Sequence, residues 1–403
     1  MKLKTILMAG AMSIAATGAW ADCAFENEVP LKSLSAGFEA WKAVTDAMAE
    51  CGNFSASLDQ EFREKQPEAF AADPALYQIG GVSNATLVPL LNAGTIRPLD
   101  DLVEKYGQDL LPNQLIKVDG KTMAIAMMVN AQHLMYRDDV LAELGIEEPK
   151  TYDDVLAAAA KIKEAGVMDY PIGGTFKTGW NLGQEFVNMY LGEGGSFFGD
   201  GNVPTINNEQ GVAALETLKA MTEYMDPEYL VSDSTYVQQQ FQQGKIAMAN
   251  LWASRAAAMN DEAESQVVGK VTMAAAPMGS AAPATTIWWD GIVLASNMSD
   301  EEADAAFRVA LEGMDGEMVS ANNDVAVWLS PAYSAGALAA GAAASAEAGA
   351  KAYPASGPMG IMHTALGNGL ADYLTGAKDA QTTLADIEAD YITAAKEAGL
   401  ISN

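Results

Sequence analysis

The side chains best able to do chemistry here are aromatic and carboxylic, and their chemistry is non-covalent. Six tryptophans lie beyond residue 22, at positions 41, 180, 252, 288, 289 and 328. A sugar-like molecule presents hydroxyls around its edge and C–H bonds on its faces. Sites for it combine stacking rings with polar groups at the rim. Trp288-Trp289-Asp290 offers both in three residues. In an extended segment adjacent rings point to opposite faces, so one of the two at most stacks on a ligand. Asp290 can accept two hydroxyl hydrogen bonds, each worth about 1.5–3 kcal/mol when charge-assisted. Trp180 follows a glycine-bearing loop and sits before a predicted helix.

Other chemistries lack their residues. His133 and His363 are the only histidines, and neither has a partner at zinc spacing, so no metal site is expected. The chain has no P-loop, nucleophile elbow or dinucleotide fingerprint, so no cofactor is expected. The glycine pairs at 173–174 and 194–195 lack phosphate-cradling spacing. A net charge of −30 argues against nucleic acid or anionic lipid as partners. An anionic ligand would want basic residues, which are few here; Arg255, beside Trp252, is the one to inspect.

The N-terminus reads as an export signal. Lys2 and Lys4 precede an apolar run over 6–16, and Ala19-Trp20-Ala21 places the cut before Asp22. Eleven apolar residues span about 16 Å as a helix, short of the roughly 30 Å bilayer core. Cys23 and Cys51, the only cysteines, read as one disulfide in an oxidising compartment, worth roughly 3–4 kcal/mol. The expected location is the periplasm.

The elements that must position the rings alternate between strand and helix. Strands are predicted over 30–35, 54–58, 76–82, 123–128 and 133–136. Helices are predicted over 38–49, 86–92, 152–165, 182–192, 209–225, 233–243, 299–314 and 379–398. Thr151 and Ser299 are the N-caps of two of them. The alanine- and glycine-rich stretch 335–352 reads as a helical connection without chemistry of its own. Strand–helix alternation implies a mostly parallel α/β sheet, and the length implies two domains.

Four segments, in order, resemble the family 1 extracellular solute-binding proteins of bacterial ABC importers, the maltose-binding-protein type. They are Asn92 to Asp101 (Asn-Ala-Gly-Thr-Ile-Arg-Pro-Leu-Asp-Asp) and 118–138 with Asp119-Gly120-Lys121 and Met135-Tyr136-Arg137-Asp138. The others are 145–161 with Pro149-Lys150-Thr151-Tyr152, and 241–252 from Phe241 through Gly244-Lys245-Ile246-Ala247-Met248 to Trp252. Residues 365–387 resemble the family's C-terminal ending. The similarity covers most of the chain and is weakest over 335–360.

The resemblance implies a two-lobe type II periplasmic-binding-protein fold, each lobe a sheet flanked by helices and joined by hinge strands. It places one lobe at 22–130 with about 291–330 and the other at about 131–290 with 331–403. Crossings fall near 130, 290 and 325–345. It implies a monomer that captures a small molecule, a mono- or oligosaccharide, between the lobes and delivers it to an inner-membrane permease without catalysis. It brings Trp252 to the cleft and adds Asn130 beside the hinge. Ser83 and Asn84, at a predicted strand end, join them, as does His363, where the maltose-binding type carries a stacking aromatic. Trp41, on the first helix, is a further candidate. Two rival readings remain: a binding protein for a polyol, glycerophosphodiester or other polar solute, and a secreted glycosidase with paired carboxylates.

Overall fold

The computed structural model describes residues 23–401; the expected export signal lies outside the described residues. The architecture is a curled sheet flanked by helices, organised around one strand of 17 residues, Lys121–Arg137. Its sequence, KTMAIAMMVNAQHLMYR, is apolar through most of its length and buried on both faces, as a central strand requires.

The first half of this strand pairs antiparallel with Thr286–Leu294, which pairs in turn with Ile79–Ser83. Beyond these lie Leu31–Ser35 and the edge strand Phe54–Leu58, parallel to each other. The second half pairs with Met248–Trp252 and Val271–Ala274, and Ile172–Gly173 closes the far edge. Two strands were predicted around 130–132; the chain runs through as one. Asn130 stays in register with Trp288, and Gln132 with Trp252, so the ladder never lapses. Leu115–Val118 and Val327–Trp328 also pair antiparallel with the long strand, the latter opposite Val129 and Met128.

Two large apolar cores sit at the two ends of this strand. One gathers Leu34, Trp41, Val44, Met128, Ile292, Phe307 and Trp328. The other gathers Leu134, Phe186, Tyr190, Leu215, Met362, Leu384 and Tyr391. Each is therefore built from residues distant in sequence, which is what makes the two halves lobes rather than beads on a string.

Local chemistry explains the helix starts. Thr151 Oγ1 accepts from the Asp154 amide at 3.1 Å while Asp154 returns a bond to the Thr151 amide, and Ser299 with Glu302 repeats the arrangement. Such caps contribute about 1 kcal/mol each. Cys23 and Cys51 form the expected disulfide, tying the N-terminal segment to the end of the helix Glu39–Glu50. Five helices went unpredicted: Phe62–Ala71, Asp100–Tyr106, Asp138–Leu144, Gly316–Ala321 and Gly357–Leu374. In the stretch 335–352 the small residues serve packing. The helix Ala340–Glu347 lies so close to the long strand that a Cβ on Gly341 would stand 2.3 Å from the His133 ring. Among the described residues no helix is long and apolar enough to cross a membrane.

Candidate functional site

Strand register assembles the floor of a cleft between the lobes. Ser83 lies opposite Asp290, Met128 opposite Asp290, and Asn130 opposite Trp288, so Ser83, Asn130 and Asp290 converge. The ladder slips by one residue between Ala126 and Met128, and there the backbones nearly touch. A Cβ on Gly291 would stand 2.2 Å from the Ile125 carbonyl oxygen, so only glycine can follow Asp290. Asn130 also holds Ser254: its side-chain amide donates to Ser254 Oγ at 3.1 Å and its side-chain oxygen accepts from the Ser254 backbone amide at 3.3 Å. Burial pushes the Asp290 carboxyl up to about 7, against the opposing pull of the Arg63 charge and the Asn130 amide.

One wall is indole. Trp180 begins the helix Trp180–Gly192, Trp252 ends the strand Met248–Trp252, and Trp288 sits on Thr286–Leu294. Trp180 and Trp252 lie 6.4 Å apart and nearly parallel, at 26°; Trp288 meets both edge-on at 5.6 and 5.8 Å. Behind Trp288 runs a buried polar network. Its Nε1 donates to Thr286 Oγ1 at 2.8 Å, and Thr286 donates to Asn188 at 2.8 Å. Asn188 donates to Gln132, which donates to Glu185 at 2.9 Å; Thr175 also donates to Glu185. Burial raises the Glu185 carboxyl above its usual range.

Behind Trp180 stands His363, stacked at 5.0 Å and 18°. A carbonyl can only accept, so His363 Nε2 carries the proton that goes to the Trp180 oxygen at 2.9 Å. Nδ1 then accepts from the Tyr353 hydroxyl at 2.8 Å. Burial pulls the imidazole down to about 4, so it is neutral at pH 7.

The facing wall is cationic and thinly partnered. Arg63 lays its guanidinium 4.3 Å over Trp180 and 4.8 Å over Phe62, and its Nε is buried with no hydrogen-bond partner. Arg255 donates to Gln238 at 3.0 Å. Burial lowers the pKa of both arginines. At the rim Lys177 pairs with Asp233 at 3.3 Å, and Asp233 also caps the helix Ser234–Gln242. The enclosed space is about 140 Å³. Among the described residues no cluster of histidine, cysteine or carboxylate stands in a geometry to hold a metal.

The structure thus brings Trp180, Trp252, Trp288, Asp290, Asn130 and Ser83 to one cavity. The other candidates stand elsewhere. Trp41 is 2% exposed in the first lobe's core, wedged against Gly81. Trp289 takes the opposite face from Trp288 and packs on the core around Phe70 and Val293. Asn84 is buried beside the Ile287 carbonyl. His363 lies behind the ring rather than in the cavity. Arg63, Lys177 and Asp233 were not anticipated; Arg63 rides on the unpredicted helix Phe62–Ala71.

Comparison with known proteins bears on the family and the fold. Residues 60–312 match the family model described as bacterial extracellular solute-binding protein. A probable sugar-binding periplasmic protein from Mesorhizobium japonicum is 27% identical over 154 residues, a match covering 36% of this chain and 36% of that one. Two solved ABC-transporter solute-binding proteins share the fold at 20% identity. The one from Agrobacterium radiobacter, in complex with ribitol, has a TM-score of 0.81 and covers 91% of this chain and 99% of its own. The one from Agrobacterium vitis, with bound D-mannitol, has a TM-score of 0.79 and covers 92% and 99%.

Proposed function

The chain belongs to the bacterial extracellular solute-binding protein family, and on that premise we propose that it captures a small carbohydrate or polyol in the periplasm and delivers it to an ABC permease. The observation carrying this reading is the cavity's composition: three indoles on one side, with Asp290, Asn130 and Ser83 on the floor between the two cores. C–H faces stack on the rings, and hydroxyls meet the floor. A space near 140 Å³ that opens to solvent favours a small ligand over a long oligosaccharide. The ligands named for the two Agrobacterium proteins, ribitol and mannitol, are single open-chain polyols.

Ligand would touch both walls only with the lobes together, so binding shifts the population toward closure, and the permease reads that state. We assign one lobe to 22–130 with about 291–330, and the other to about 131–290 with 331–403, with the protein acting as a monomer. No covalent step is invoked. Of the cavity's carboxylates, Asp233 is committed to Lys177 and a helix cap, so chromogenic glycosides should survive incubation intact. The test is a thermal-shift and tryptophan-fluorescence screen against monosaccharides, disaccharides and polyols. A ligand at 100 times its Kd should stabilise by about 2.7 kcal/mol. If no polyhydroxy compound shifts either signal, the proposal is wrong.

A further inference from the structure

Resting on the carbohydrate reading, we propose that the ligand carries one anionic group, a carboxylate or a phosphate ester on a sugar or polyol, and that Arg63 and Arg255 receive it. The chain as a whole is strongly acidic, with 23 basic residues against 53 acidic ones. Yet three of those 23, Arg63, Lys177 and Arg255, line a single small cavity. Local charge there runs against the global charge.

The acids present do not cancel them. Asp233 is occupied by Lys177 at 3.3 Å and by the amides of Thr235 and Tyr236. Asp290 feels the Arg63 charge, but among the described residues neither Arg63 nor Arg255 has a carboxylate within 4.0 Å. Lys177, the third basic side chain lining the cavity, has such a partner in Asp233. Arg63 is held by ring faces, which contact the flat of the guanidinium and leave its edge unused; its buried Nε bonds to nothing. Arg255 has one neutral partner, Gln238.

A guanidinium withdrawn from water without a counter-charge is costly, and the cost is relieved when an anion arrives with matching acceptors. Its planar fork suits a carboxylate or phosphate edge. A neutral sugar would leave both arginines with only the more distant charges of Asp290 and Glu64, and of Asp233 and Glu39, and no carboxylate in direct contact. The ring of an acidic sugar can instead lie against the part-exposed Trp252 while its acid group meets the arginines and its hydroxyls meet Asn130 and Asp290.

The experiment is isothermal titration at pH 7.5 with matched sets: glucose, glucuronate and glucosamine; mannitol, gluconate and mannitol 1-phosphate. Within at least one set the anionic member should bind about 10- to 100-fold more tightly than its neutral partner, the range expected for one or two charge-assisted bonds. Carboxylate and phosphate arms tell which acid is read. In Arg63→Gln and Arg255→Gln the preference should shrink about tenfold, while Arg63→Lys retains part of it; unliganded melting temperatures identify any variant that has lost its fold. Neutral members binding as tightly as anionic ones, or more so, overturn the inference and leave the carbohydrate reading standing. No heat with any member overturns both.

Discussion

Across the cleft, the indole wall and the arginine wall treat their polar groups differently. Trp288 Nε1, both nitrogens of His363 and the acceptor oxygen of Glu185 all have partners within the protein. Arg63 Nε has none, and Arg255 relies on a single neutral amide. The indole wall belongs to the second lobe's core and is complete before ligand arrives. The arginine wall reaches in from the first lobe and from the loop after Met248–Trp252. Other buried polar atoms also lack partners, Gln184 Oε1 in the network behind Trp288 among them, so what sets Arg63 apart is that an unpartnered charged group lines the cavity.

If that contrast is right, the largest stability loss follows truncation on the completed side. Trp288 is 4% exposed and packs on Tyr353 at 4.2 Å. Trp288→Ala should cost about 3–5 kcal/mol in urea titration, as large aromatic truncations do. A loss under 1 kcal/mol would mean the ring is ligand surface only, and the walls would no longer differ in kind.

Asp290 lies between the walls, and its effect has a sign that pH reveals. The folded carboxyl titrates near 7 against an ordinary value of 3.8. The native state therefore holds this proton where the unfolded chain has released it. Stability from this group is full below about pH 4 and falls as pH rises through 7, by up to about 4 kcal/mol. Asp290→Asn should flatten that stretch of the stability curve and gain most at pH 8. Equal slopes in the two proteins would place the carboxylate in water. Anion binding should sharpen the effect, since an acid ligand near Asp290 favours its protonated form.

Glu185 probes the network behind Trp288. Glu185→Ala strands the donors of Gln132 and Thr175 and should cost about 1–3 kcal/mol, read by urea titration at pH 7. Glu185→Gln keeps an acceptor, sheds the buried charge and should stay within about 1 kcal/mol of the parent. If both variants lose equally, shape rather than hydrogen bonding holds the wall.

Part of this was legible in local pattern, but the strands Met248–Trp252, Val271–Ala274 and Thr286–Leu294 went unpredicted, and the central pairings are antiparallel where a mostly parallel sheet was expected. The alternation rule allowed one ring of Trp288-Trp289 to face the cleft, and the pairing sends Trp288 there and Trp289 to the core around Phe70. Thr151 and Ser299 marked their helices through capping chemistry that depends only on neighbours. Arg63 was invisible for the opposite reason. Its helix, FREKQPEAFA, contains Pro67 and little apolar periodicity, so nothing local announces it; Phe62, Ala69 and Phe70 hold it by packing on strands far away in sequence. His363 misled because residue type does not tell which side of a ring a side chain occupies. It supports Trp180 from behind, on a glycine-bearing helix, Gly357–Leu374, whose course is set by contacts with other helices. The predicted strands were placed by local pattern, whereas Arg63 and His363, like the strands that carry Trp252 and Trp288, are placed by tertiary packing.

The smallest expected effect on stability, and the most telling, belongs to Trp252. Its ring is part-exposed, and its aromatic neighbours are Trp288, edge-on at 5.8 Å, and Trp180, stacked at 6.4 Å. Such aromatic pairs are worth about 0.5–1.5 kcal/mol each, so the unliganded melting temperature of Trp252→Ala should move less than that of Trp288→Ala. Binding should weaken at least 100-fold, about 2.7 kcal/mol, because the ligand loses one of the faces it stacks on. The two readouts separate the roles that a ring in this position can have. A core ring lowers the melting temperature and leaves the surviving fraction binding normally, whereas a ligand ring does the reverse. Trp288→Ala is expected to move both, so the pair of variants measures how far the wall's structural duty extends toward the cavity.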